Sequence, residues 1–155
     1  MSVENWGHTY NSAQPGDAGR VQATMTTPEN ADASTDCPPT GAAAVDGDVY
    51  RCCKSSPPSN ADMQTHEESG RLPDADPCLR RALSVFRSET DAQHQVRLFR
   101  RWRRKFVAMA SLDPGHGRSM LTTGQQPTHT SWWPADSLNP AARAALFAVV
   151  CEVQL

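Results

Sequence analysis

Isoleucine is absent from the 155 residues, and lysine nearly so: two lysines stand against thirteen arginines. Strands draw heavily on β-branched and aromatic side chains, and with isoleucine missing a sheet protein is not expected. The larger shortage lies in the first half. Between residues 1 and 77 the only Leu, Val or Phe side chains are Val3, Val21, Val45, Val49 and Leu72. Each, fully buried, would contribute roughly 1.5–3 kcal/mol, against about 1–2 kcal/mol for every residue whose backbone is ordered. By that measure the stretch cannot form a packed core. Its many Pro, Ser, Thr, Asn and Asp residues fit a disordered tail.

Other absences narrow the field further. No run approaches the ~18–20 apolar residues that a membrane span requires; the closest, Ala141 to Leu155, carries Arg143 and Glu152. The five cysteines (Cys37, Cys52, Cys53, Cys78 and Cys151) are odd in number and form no C-x-x-C pair, and no signal-peptide pattern opens the chain. A disulfide framework is therefore not expected, and the thiols are predicted to be reduced, as in the cytosol or nucleus. The histidines, His8, His66, His94, His116 and His129, are scattered and have no cysteine at metal-ligand spacing. No G-x-S-x-G or comparable motif places a nucleophile. Neither a metal nor a cofactor is predicted, and an enzyme is not.

What is present is charge, unevenly distributed. Residues 1–77 hold twelve acidic side chains against four basic ones, whereas residues 78–111 hold nine basic against two acidic. This predicts an acidic tail and a basic binding element able to mask each other.

Helix signals begin at Asp76-Pro77, a capping residue followed by proline at the first helical position. The pattern runs to about Ala110, where Ser111-Leu112-Asp113-Pro114-Gly115 stops it. Ser88 with Asp91 three residues later resembles a capping box and places a bend near residue 88. Asn139-Pro140 repeats the cap-plus-proline start, ahead of an apolar run to the C-terminus. The fold predicted is a mostly disordered N-terminal half and a small all-α C-terminal segment of two or three helices. Its parts are an acidic disordered tail (1–75), a basic helical hairpin or bent helix (76–110), a loop (111–138) and an apolar C-terminal helix (139–155).

The strongest chemical feature is the run Val96 to Met109. At about 100° per residue, Arg97, Arg100, Arg101, Arg104 and Lys105 fall on one side. Phe99, Trp102, Phe106 and Met109 fall on the other, with Arg103 at the margin. A basic amphipathic helix of this kind suits an acidic partner. Arginine forks match phosphate oxygens, so RNA is the first expectation, with Trp102 as aromatic anchor. Arg100–Lys105 also fits a nuclear-localisation cluster read by an importin-type receptor.

The segment Arg100-Arg-Trp-Arg-Arg-Lys-Phe-Val-Ala-Met-Ala resembles the calmodulin-binding segments of myosin light-chain kinases. That resemblance implies Trp102, Phe106 and Met109 as apolar anchors; the distal anchor position falls on Gly115. An anionic membrane surface is a further candidate, and so is simple packing of the aromatic face against the C-terminal helix.

Leu146, Val149, Val153 and Leu155 have the spacing of a leucine-rich export signal, and the same run could support self-association. Together these features predict a regulatory or accessory binding protein in nucleus and cytoplasm, of the shuttling kind that viruses encode in host–virus interactions. An overlapping or recently arisen reading frame without a refined fold is the other expectation. Thr27-Pro28 and Ser56-Pro57, in the predicted tail, fit proline-directed phosphorylation.

Overall fold

The computed structural model describes residues 36–155. The expected all-α segment is overturned: the described residues build a seven-stranded antiparallel sheet. In chain order the strands are β1 (Ala43–Ala44), β2 (Gly47–Cys53), β3 (Leu83–Phe86), β4 (Phe106–Leu112), β5 (Gly117–Leu121), β6 (His129–Pro134) and β7 (Ala148–Glu152). Four short helices join them: α1 (His66–Ser69), α2 (Pro77–Arg80), α3 (Glu89–Leu98) and α4 (Pro140–Leu146). Across the sheet the order is β1-β5-β6-β3-β2-β4-β7.

The supposed disordered half supplies an interior strand. β2 pairs with β3 through Tyr50 opposite Phe86, and with β4 along its whole length, from Gly47 opposite Leu112 to Cys53 opposite Phe106. Period-two alternation then divides its side chains between two faces. Val49 and Cys53 join Val45, Met63, Leu83, Val85, Ala108, Ala110, Leu112, Trp132 and Phe147 in one core. Tyr50 and Cys52 face the other way and pack with Phe86, Ala92, Val96, Val107 and Val153. Helix α3 covers this second face through Ala92 and Val96. A 3-10 turn (Ala61–Met63) and α4 cover the first, where Arg143 of α4 donates to the Met63 carbonyl at 2.9 Å and forks onto Glu68 at 2.7 and 3.0 Å. The ordering entropy is thus offset by contacts distant in sequence, to which Cys, Met, Ala and Trp contribute beside Val, Leu and Phe.

Three helix starts sit where the caps predict them. Asp76 accepts from the N–H groups of Cys78 and Leu79, Ser88 from Asp91, and Asn139 from Ala142. The helices end early, however. The basic helix expected over 96–109 does not form: α3 stops at Leu98, Arg100–Trp102 make a 3-10 turn, and Phe106 begins β4. The apolar run after Asn139 likewise leaves α4 at Leu146 and continues as β7. The stretch 111–138, expected as a loop, contains β5 and β6. Asp113–Pro114–Gly115–His116 is a capped 3-10 turn between β4 and β5.

A third cluster gathers Ala42, Ala82 and Trp133 with Leu79, Met120 and the disulfide Cys37–Cys78. That bond corrects the expectation of five reduced thiols and removes the thiol argument for a nuclear or cytosolic protein; Cys52, Cys53 and Cys151 are free. Ser56-Pro57 lies in the loop after β2, while Thr27-Pro28 falls outside the described residues. No helix among the described residues is long and apolar enough to cross a membrane.

Candidate functional site

At the end of the sheet where β2 finishes and β4 starts, two connections leave side by side, tied by the Lys105 N–H donating to the Cys53 carbonyl at 3.1 Å. Between them opens a cleft of about 260 Å³. Lys54 lines it from the end of β2, His66 from α1, Arg71 and Leu72 from the turn after α1, and Arg101, Trp102, Arg103 and Arg104 from the approach to β4.

The walls are held in place by local chemistry. Asp62 anchors the loop after β2 by accepting from the N–H groups of Lys54 (2.7 Å) and Ser59 (3.0 Å) and from the Ser59 hydroxyl. Burial works to raise the Asp62 carboxyl, but these hydrogen bonds prevail and hold it below its ordinary range. Thr65 and Glu68 form a reciprocal capping box that sets α1, and with it His66. Beneath the cleft runs Arg51, 8 % exposed, whose guanidinium donates to the carbonyls of Asp62 and Ser84, each at 2.8 Å.

The electrostatics are one-sided. Lys54, Arg71, Arg101, Arg103 and Arg104 converge, and among the described residues none lies within ion-pair distance of a carboxylate. Asp62 is the near acid, and its oxygens are engaged by the loop. Burial pushes the half-buried Arg104 guanidinium below its usual value, and Arg71 adds to the effect. Arg51 is pushed down to about 10 by burial and by Arg104. His66 is pushed down to about 4 by burial and by Arg71, Arg51, Arg104 and Arg80, so at neutral pH it is an uncharged imidazole in a positive field.

Strain collects here too. Leu72 (φ 50°) and Arg103 (φ 58°) are the non-glycine residues of the described chain with left-handed backbone, and both line the cleft. Such conformations cost on the order of 1 kcal/mol and gather at ligand sites.

Of the residues predicted from sequence, Arg101, Trp102, Arg103 and Arg104 come together in this cleft. Arg100 is exposed on the 3-10 turn and Arg97 is exposed on α3. Lys105 turns to the sheet edge, pairing with Glu152 at 3.4 Å with its ammonium over the Phe106 ring.

The expected apolar anchors do not form one face. Phe99 stacks on Trp102 with centroids 4.0 Å apart and planes 3° from parallel; Phe106 packs partly into the core, and Met109 lies half-buried in β4. The guanidiniums of Arg104 and Arg101 lie 5.4 and 5.9 Å from the Trp102 ring centroid, so the indole positions cations. Nor do the export-pattern residues share a helix: Leu146 ends α4, Val149 packs on the first core, Val153 is buried in the second, and Leu155 is exposed.

Sequence reasoning missed Lys54, His66, Arg71 and Leu72 by assigning them to a tail. Two sequence signals were present: Thr65-x-x-Glu68 is a capping-box pattern that starts a helix at His66, and Lys54 and Arg71 are two of the four basic residues in an acidic half.

A second polar constellation lies inside the sheet. His129 Nε2 is 3.1 Å from Ser84 Oγ, and its Nδ1 is 3.0 Å from Thr122 Oγ1, which reaches Ser131 Oγ at 3.0 Å. His129 is 7 % exposed, and burial keeps its pKa below the ordinary value. The network satisfies buried polar groups and does not open to the cleft. Among the described residues no group of three or more His, Cys, Asp or Glu side chains could hold a metal ion.

Comparison with protein-family models, with known proteins and with solved structures finds no match, so the site is read from its chemistry.

Proposed function

We propose that this is a non-enzymatic binding protein whose basic cleft engages the phosphate groups of an acidic partner, an RNA strand. One observation carries the reading: five cations converge on a concave surface where, among the described residues, no carboxylate is in ion-pair reach, and one of them is partly desolvated. A partly buried guanidinium without a counter-charge is costly, and an anionic ligand supplies the missing charge. Arginine forks and the room between the walls suit phosphate oxygens better than a flat acidic surface.

The calmodulin-type and membrane-surface readings required Trp102, Phe106 and Met109 along one helical face. With those residues in a 3-10 turn and a strand, neither reading has a supporting observation.

The test is fluorescence anisotropy with a short labelled single-stranded RNA across a salt series. Each phosphate neutralised contributes about −0.7 to the slope of log K on log salt for a single strand, so contacts to between one and five phosphates give a slope between roughly −0.7 and −3.5. Arg101→Ala and Arg104→Ala should each lower its magnitude by about 0.7. An affinity insensitive to salt, or unchanged in both variants, overturns the proposal.

A further inference from the structure

We propose that the cleft is an end-recognition site, built for a terminal phosphate monoester in preference to the internal phosphodiesters of a strand. This deepens the RNA reading above and rests on the same cations, but makes a separate demand on the ligand.

Volume is the first argument. At about 260 Å³ the cleft falls just below the ~300–1,000 Å³ typical of small-molecule sites. That is room for one phosphate-bearing unit. Leu72 and Trp102 supply an apolar wall beside the charges, suited to the sugar or base that carries the phosphate.

Charge is the second. A monoester carries close to two negative charges at neutral pH and presents three acceptor oxygens, whereas a diester carries one charge and two unesterified oxygens. Arg71, Arg101, Arg103 and Arg104 each offer a planar fork of donors, and Lys54 adds three more. Three oxygens can accept from several forks at once; a diester leaves part of this donor set unanswered. The left-handed backbone at Leu72 and Arg103 is the third argument: both strained residues border the cavity itself, one on each wall.

The groups facing the ligand also make the acid limb readable. Lys54, Arg71, Arg101, Arg103 and Arg104 face the ligand with Arg51 behind them, and Arg51, pushed down to about 10, is charged throughout pH 5 to 7.5. His66 titrates near 4, the hydrogen bonds from Lys54 and Ser59 hold Asp62 ionised against the effect of burial, and the neighbouring thiols of Cys52 and Cys53 are pushed up to about 11 and 12. In that range the group that changes is the ligand's phosphate, with its second pKa near 6.

The experiment compares two labelled RNA oligonucleotides of identical sequence, one with a 5′-phosphate and one with a 5′-hydroxyl. It adds adenosine 5′-monophosphate, cyclic adenosine 3′,5′-monophosphate and inorganic phosphate as unlabelled ligands in a thermal-stability assay. At pH 7.5 the phosphorylated strand should bind at least about tenfold tighter, and the preference should shrink at pH 5. The monophosphate should stabilise the protein and the cyclic diester should not. Arg104→Ala should abolish the preference; because Arg104 is half-buried, the exposed Arg101→Ala is run beside it, with unfolding curves for both.

Equal binding of the two strands refutes end recognition and leaves the RNA reading intact. Stabilisation by the monophosphate or phosphate without binding of either strand upholds the monoester site and refutes RNA as its source. No response to any ligand refutes both.

Discussion

Breaking the Glu68–Arg143 pair should be costly, and the structure says by how much. Arg143 is 7 % exposed and sends two donors to Glu68, at 2.7 and 3.0 Å, and a third to the Met63 carbonyl. Removing one partner of a fully buried pair costs about 3–5 kcal/mol, because the survivor is left as an uncompensated charge. The Glu68 side chain is 34 % exposed, so water screens part of the loss. Glu68→Gln is therefore expected to cost about 2 kcal/mol, and Arg143→Met a similar amount. The double variant should cost far less than their sum, with a coupling of at least about 1 kcal/mol. Urea unfolding followed by tryptophan fluorescence reads this directly, because Trp132 and Trp133 are 0 % and 4 % exposed.

The pair also predicts an acid limb. The hydrogen bond from Arg143 holds the Glu68 carboxyl below its ordinary 4.5. Its stabilisation is complete above 4.5 and is lost as the pH falls through the lower folded-state value. Glu68→Gln should remove that portion of the limb. Additive single costs, or a loss under about 0.5 kcal/mol in Glu68→Gln, would refute the reasoning.

Three further outcomes are expected. Under non-reducing denaturing conditions a thiol reagent should count three cysteines, and in the native protein at pH 8 only the partly exposed Cys151 should react readily, since Cys52 and Cys53 are buried and their thiols are pushed up to about 11 and 12; a count of five would remove the disulfide. Arg103→Gly should leave the fold as stable or about 0.5–1 kcal/mol more stable by relieving φ 58° while weakening ligand binding, and a loss of stability would show that the backbone there is not strained. Because the half-buried His66 is neutral with a pKa near 4 against an ordinary 6.5, the unfolded state takes up a proton first as the pH drops, so stability should fall between pH 6.5 and 4, and His66→Gln should flatten that fall in urea midpoints.

Much of the local grammar was legible in the sequence. Asp76-Pro77, Ser88 and Asn139-Pro140 start helices in the structure because a cap is a contact between residues two or three apart. The basic character of 100–104 was legible too, and four of its residues line the cleft. Helix lengths were not. Phe106-Val-Ala-Met-Ala-Ser-Leu112 satisfies a helical stripe and a strand alternation about equally, and pairing with Gly47–Cys53 decided for the strand. The Leu, Val and Phe count misjudged the first half because Cys53 and Met63, outside that count, are wholly buried there.

The sequence by itself determined where three of the four helices begin, where positive charge concentrates, and that an aromatic residue stands within that charge, since each depends on neighbours in the chain. Only the tertiary structure decided that β2 is an interior strand, that Cys37 meets Cys78, and that Lys54, His66 and Arg71 face Arg104. Those partners lie about thirty to fifty residues apart, and the free energy that joins them comes from burial and sheet pairing between distant segments, which no local window contains.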